Sequence, residues 1–266
     1  MAENPWLKIN ISDYVNHMSS PEVGQYQLIN ECFKSVLNKY NPKRIFVPGC
    51  TIGNGFEYIN WGEVESVTAL DINPDFLNIL GNSFPGQEKL EIINEDIVDF
   101  DPEESKFDLI FAALIFEYVD PDPALMKIKK VMDTNSTFFS MIQLPGKSKV
   151  TKTEYKSLEK LSPVMHLLSI DKFQSELKRN RFSIKLSEKK TLKNGKSFLL
   201  TEAGINSQLG IDSELLSNRL IKPKKRLGKA ESLKNLKSSL KIKKVIEYGE
   251  LPWSSKIKKM LNMQKN

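Results

Sequence analysis

The 266-residue sequence has only two cysteines, Cys32 and Cys50, and only two histidines, His17 and His166. So few cysteines exclude a disulfide framework and suit a reducing compartment, with the cytoplasm as the expected location. No cluster of His, Cys and carboxylates has metal-ligand spacing, so no metal is expected. No apolar run nears the ~20 residues that cross a bilayer, so no membrane span is expected. The first ten residues lack the basic-then-apolar order of a secretory leader, and none is expected. Net positive charge is confined to the last stretch. Residues 222–266 hold 14 Lys and Arg against 3 acids, whereas the rest holds 25 against 30. A mildly acidic body therefore carries a basic tail. The tail reads either as a surface that tracks RNA or another polyanion, or as a Lys-rich solvated helical extension. Arginine and aromatic residues, which planar base recognition uses, are sparse in it.

Apolar periodicity organises the body. Residues 22–40 repeat apolar positions every three to four residues, which predicts an amphipathic helix ended by Asn41-Pro42. Short apolar runs at 44–48, 66–70, 90–93, 107–113 and 136–144 read as strands. Helical patterns lie between them at 74–80 and 121–132, and after them at 155–168 and 171–180. Runs at 182–187 and 197–200 flank Asn194-Gly195 and read as a closing antiparallel pair. Strands alternating with helices predict an α/β fold. It is a doubly wound, mostly parallel seven-stranded sheet with helices on both faces and a closing hairpin. The expected domain is 1–205, with 1–40 as an N-terminal helical lid. Residues 206–266 form the basic, helical C-terminal extension.

Ligands of such sheets lie outside the carboxyl ends of the strands. The tips here carry a glycine cluster from Gly49 to Gly55, then Asp71, Asp96 and the Ala112–Leu114 stretch. All four are expected at one crevice. Gly49 and Asp71 are 22 positions apart, the layout of strand, tight turn, helix and second strand ending in an acid. A dinucleotide fingerprint does not fit: counted from Gly53 its sixth position is Tyr58, and counted from Gly49 its third is Thr51. A phosphate-binding P-loop is excluded because no Lys-Ser or Lys-Thr follows the glycines.

The frame that fits is Gly49-x-Thr51-x-Gly53-x-Gly55, and here the chain resembles the class I S-adenosylmethionine-dependent methyltransferases over about residues 30–200. Arg44–Phe56 resembles the family's first motif, Asp71 its ribose-binding acid, and Asp96, in Glu95-Asp96-Ile97, its adenine-contacting acid. The segments 107–110, 116–119 and 137–145 resemble its fourth strand, the stretch after it, and its fifth strand. The resemblance implies S-adenosyl-L-methionine as cofactor. The candidate contacts are Gly49, Cys50, Thr51, Gly53, Asn54, Gly55, Asp71, Ile72, Asp96, Ile97, Ala113 and Gln25. Cys50 reads equally as a small residue packed in the turn, with nothing beside it to activate a thiol. Two positions depart from the family pattern: Val47 stands where an acid is usual, and Thr51 replaces the middle glycine.

The resemblance also makes Trp6, Tyr14, His17, Met18 and Gln25 candidates for a segment that closes over the cofactor. Tyr14, His17, Glu117 and Tyr118 are the candidate catalytic or acceptor-orienting groups. His17 is read as a general base because imidazole titrates near neutrality. The expected activity is methyl transfer to a small-molecule acceptor. The alternatives are an RNA or protein methyltransferase that uses residues 222–265, and a non-catalytic module that keeps the fold and the ligand. The segment after the fourth strand lacks the Asn/Asp-Pro-Pro-aromatic motif of base amino methylation. No Pro-Cys nucleophile for pyrimidine C5 chemistry is present, nor are the clustered cysteines of radical chemistry.

Overall fold

The structure, a computed structural model, describes residues 4–101, 106–146 and 154–205. The expected basic extension, 206–266, lies outside the described residues. The chain opens with a 3-10 turn at Pro5–Lys8 and helix α1 at Ile11–Ser19. Asn10 caps α1, its side-chain oxygen accepting from the Ser12 and Asp13 amides. Helix α2 spans Gln25–Tyr40 rather than starting at Glu22, because Gly24 takes a left-handed conformation (φ 66°) just before it. Then follow β1 (Arg44–Pro48), β2 (Ser66–Asp71), α3 (Pro74–Ser83), β3 (Leu90–Asn94) and β4 (Leu109–Ala113). After these come α4 (Pro121–Lys130), β5 (Thr137–Gln143), α5 (Ile170–Arg179), β6 (Phe182–Thr191) and β7 (Ser197–Ile205).

The seven strands are ordered β3-β2-β1-β4-β5-β7-β6. Pairs β1–β2, β1–β4, β2–β3 and β4–β5 are parallel, while β7 runs antiparallel between β5 and β6. The chain winds outward from β1 in both directions, so β1 and β4 part at their carboxyl ends and open a crevice. One face of the sheet is covered by α4 and α5. There Leu125, Ile128, Phe173 and Leu177 bury against Phe46, Ile110, Phe138 and Ala203. On the other face Phe33 of α2 packs on Phe111, which stacks on Phe139 at 4.9 Å. The central strands β1, β4 and β5 are therefore dry on both faces, which is why they read as largely apolar runs, whereas β3 at the edge keeps Glu91 and Ile92 exposed.

Two helical expectations shrink. The glycine cluster, expected to open a short helix through Phe56, Tyr58 and Ile59, leads into a 3-10 turn at Phe56–Tyr58. The 155–168 pattern yields only a 3-10 turn at Lys156–Leu161, with Pro163 just beyond it denying a helix an amide donor. Helix α1 was not set apart in the sequence and is a separate element. The hairpin turn between β6 and β7 is fastened to the loop joining α1 to α2: the Asn194 side-chain amide donates to the carbonyls of Glu22 (2.8 Å) and Val23 (3.1 Å).

Candidate active site

One cavity opens at the carboxyl ends of β1, β2, β3 and β4, and the strand-tip residues Gly49, Cys50, Thr51, Asp71, Ile72, Asp96, Ile97 and Ala113 all line it. Gly49 turns the chain with φ 68° after β1, and its amide and that of Cys50 donate to the Leu70 carbonyl. Thr51 holds a left-handed backbone at φ 49°, and Leu114 does so at φ 59° past β4. A residue other than glycine rarely adopts this conformation, least of all a β-branched one such as Thr51, so both tips that flank the crevice store backbone strain.

The strain at Thr51 is held by a knot of side chains. Its Oγ1 lies 3.0 Å from the Tyr14 hydroxyl, and the Asn54 amide donates to that hydroxyl at 2.8 Å and to Oγ1 at 3.3 Å. The Thr51 amide donates to Asp71 Oδ2 (2.9 Å), and the Asn73 amide to Asp71 Oδ1 (2.9 Å). Burial raises the Asp71 carboxyl to about 6, against the lowering effect of these amides. Asp71 therefore anchors the turn and faces the cavity at once. The knot ties α1 to the glycine turn and leaves Thr51 on the cavity wall, not across it. Burial pushes Tyr14 up to about 12 and Tyr118 well above the usual phenol range, so both stay neutral donors at physiological pH. Trp6 roofs the site, in edge-on contact with Tyr118 (5.0 Å), Tyr14 and Phe76.

Three candidate residues lie off the cavity. Gly53 and Gly55 face the helices: a Cβ on Gly53 would come within 2.6 Å of Leu80 Cδ1, and one on Gly55 within 2.7 Å of Phe33 Cδ1. With φ of 84° and 88°, these glycines let the turn lie flat on α2 and α3. Glu117 is 1% exposed and sits behind the wall, where one carboxyl oxygen accepts from the Gln143 amide and the other is buried without a partner. Burial raises its carboxyl to about 7. Cys50 lines the cavity as a buried thiol that burial pushes well above the usual range, which makes it inert. Cys32 is buried on α2, and His166 is exposed.

The other end of the cavity joins the candidates His17, Met18 and Gln25 to side chains the sequence did not single out. Gln143 closes β5, and Lys196 stands in the hairpin turn. Leu158, Leu161 and Met165 form an apolar wall with Met18 and Ile29. Gln143 Oε1 receives the Gln25 amide at 3.3 Å and Lys196 Nζ at 3.4 Å. Burial lowers Lys196 to about 8, and burial, with the nearby Lys196 charge, lowers His17 to about 4. His17 is thus a neutral imidazole at pH 7 and a weak base. A strand rule could have found both polar residues. β7 pairs Phe198 with Gln143, so the start of β7 and the end of β5 share the carboxyl edge of the sheet. Among the described residues no group of three His, Cys, Asp or Glu could hold a metal, and no helix is long and apolar enough to cross a membrane.

A nucleoside with an amino-acid arm fits what is present. The buried Asn54 Oδ1 has no hydrogen-bond partner, Asp71 and Asp96 offer acceptors on adjacent tips, and Ile72 and Ile97 supply flat apolar contact. Residues 47–140 match the family described as "Methyltransferase domain". Among solved structures, the chain resembles an S-adenosylmethionine-dependent methyltransferase from Clostridium acetobutylicum ATCC 824, with 14% identity and TM-score 0.51. That match covers 68% of this chain and 92% of that one. It resembles the N-methyltransferase NodS from Bradyrhizobium japonicum WM9, solved with S-adenosyl-l-homocysteine, at 12% identity and TM-score 0.53, covering 67% and 86%. It also resembles the [4+2]-cyclase SpnF at 10% identity and TM-score 0.54, covering 66% and 81%. At these identities the likeness is one of fold alone. No curated protein sequence matches the chain. The methyltransferase-domain match spans the strand tips that line the cavity, and the chain has the fold of these S-adenosylmethionine-dependent methyltransferases.

Proposed function

We propose that this enzyme methylates a small, partly apolar acceptor held between α1 and the β6–β7 hairpin. The observation that carries the reading is the cover over the cavity. Trp6, Tyr14 and Tyr118 roof it on one side, while Leu158, Leu161 and Met165 wall the other, which suits a ligand that enters whole rather than a groove-bound polymer. Asp71 and Asp96 are assigned to the ribose hydroxyls and the adenine amine. Gly49, Cys50 and Thr51 are assigned to main-chain contact, and Ile72, Ile97 and Ala113 to apolar contact. Asn54 takes the place of the missing acid at Val47, its orphaned oxygen available to a ligand amine. S-adenosylmethionine, when bound, supplies a sulfonium methyl that needs no further activation. The chain's own task is then to exclude water and align the acceptor, a contribution of about 7–11 kcal/mol. His17, neutral and buried, suits hydrogen bonding to the acceptor better than abstraction of its proton. Gln25 and Tyr118 orient the acceptor, and Glu117 positions Gln143 rather than touching ligand.

Residues 206–266 are assigned to a separate basic extension, and the enzyme to the cytoplasm. Two measurements test the whole. Calorimetry with S-adenosylhomocysteine should show binding that Asp71→Ala weakens on the order of 100-fold, since that change removes a ligand acceptor and strands two buried amides. No heat at millimolar ligand would return the chain to a scaffold role. Incubation of a cell extract with methyl-labelled cofactor should put label in the low-mass fraction. Label in RNA or protein would instead favour the polymer reading and the 222–265 segment.

A further inference from the structure

We propose that the acceptor carries a hydrogen-bond donor, an N–H or O–H group, on an apolar body, and that the Gln25 side-chain oxygen receives it. The proposal rests on the methyltransferase reading of the same cavity and names the chemistry of the acceptor, which that reading leaves open.

A lysine ammonium can only donate hydrogen bonds. Lys196 Nζ lies 3.4 Å from the Gln143 side chain, so the end of that amide turned to it is the oxygen. The same oxygen lies 3.3 Å from the Gln25 amide. Two amides do not meet oxygen to oxygen, so Gln25 turns its nitrogen to Gln143. Lys196 thus sets Gln143, Gln143 sets Gln25, and the Gln25 oxygen is left at the far side of its own amide. A group that could otherwise flip is held one way round.

Gln25 opens α2, where the left-handed turn at Gly24 places it, and it lines the cavity at only 8% exposure. The bond to Gln143 is made through nitrogen, so the oxygen has no donor among the described residues. That oxygen is not sealed within the wall, and it opens on the cavity. A ligand that sets hydrocarbon there leaves a dry acceptor unmatched, whereas one that sets an N–H or O–H there satisfies it. A site built to hydrogen-bond one group rejects the analogue that lacks it for this reason. Around the amide the wall is apolar: Leu158, Leu161 and Met165 are each no more than 5% exposed, with Met18 lining the cavity from α1. One acceptor atom beside a hydrocarbon surface selects a molecule with one donor on an apolar body.

The probes are indole and benzothiophene, which share a shape but differ in an N–H against a sulfur. Both are titrated calorimetrically into protein saturated with S-adenosylhomocysteine at pH 7. Indole should bind on the order of tenfold tighter, the range expected when a buried acceptor is matched rather than left bare. Gln25→Leu should erase that preference. Gln25→Glu should keep it, because a carboxylate accepts through either oxygen. The ratio of the two affinities is the readout, since any loss of packing weakens both probes alike, and each variant is first titrated with S-adenosylhomocysteine to show that it is folded. Equal binding of the two probes, a preference that survives in Gln25→Leu or is lost in Gln25→Glu, or no binding of either probe at millimolar concentration overturns the proposal and leaves the cofactor reading intact. Failure of S-adenosylhomocysteine to bind the parent protein overturns both.

Discussion

The two ends of the cavity are built from different material. At the β2–β3 end the wall is strand tips and the turns that leave them. Its key carboxylate, Asp71, is locked by the amides of Thr51 and Asn73. At the hairpin end the wall is side chains drawn from positions 17, 25, 143, 158, 161, 165 and 196, brought together only by tertiary packing. A main-chain wall resists change, because its groups are present whatever the side chains are and its geometry is set by the sheet. A side-chain wall can be rewritten one residue at a time.

The sharpest way to separate the ends is Glu117. Its carboxyl is raised to about 7, above the ~4.3 of an unfolded chain. The folded protein keeps a proton that the unfolded chain releases between those values. The group's contribution to stability is therefore full below about pH 4.3 and is lost as pH rises through 7. Glu117→Gln removes this dependence. In urea unfolding, the stability of the parent relative to the variant should fall on the order of 3 kcal/mol between pH 4 and pH 8. Affinity for S-adenosylhomocysteine should stay within about twofold, since Glu117 backs the far wall. Parallel pH curves would mean the carboxyl is ionised where it lies.

Asp96→Asn probes the other end. Its side chain is half-exposed and accepts from the Val98 amide. The variant should lose roughly five- to tenfold in S-adenosylhomocysteine affinity, about 1–1.4 kcal/mol, with little change in unfolding midpoint. Unchanged affinity would remove Asp96 from the nucleoside end. The smallest expected effect is that of Thr51→Gly. It relieves a left-handed β-branched residue, a gain of about 1–2 kcal/mol, and gives up hydroxyl bonds of about 0.5–1.5 kcal/mol. Net stability should move by less than about 1 kcal/mol, and cofactor affinity by less than threefold. A tenfold rise in affinity would show that the threonine obstructs the site.

The same contrast explains what could be read from the sequence. Strand tips are legible because a parallel strand announces itself by an apolar run and the ligand edge always follows its last residue; Asp71, Asp96 and Ala113 were found that way. Gly53 and Gly55 were legible as glycines but not in purpose. A positive φ is equally necessary for contact with a ligand and for contact with Leu80 or Phe33, and only the fold distinguishes them. Lys196 and Gln143 were missed because their nearness depends on β7 running antiparallel beside β5, a pairing register that periodicity does not carry. Helix α1 was missed because its apolar positions, Tyr14, Val15 and Met18, are few and its signal lies in the Asn10 cap.

The fastening of the hairpin turn by Asn194 has a practical meaning for redesign. Lys196 stands two residues beyond that side chain, and the carbonyls it grips belong to the loop that carries His17 on one side and Gln25 on the other. Exchange of the tip for one of another length would cut both tethers and let the first two helices resettle. Redesign of specificity therefore works on helix pair and hairpin as one unit, and through the contact of Tyr14 with Thr51 a resettled α1 also bears on the glycine turn across the chamber.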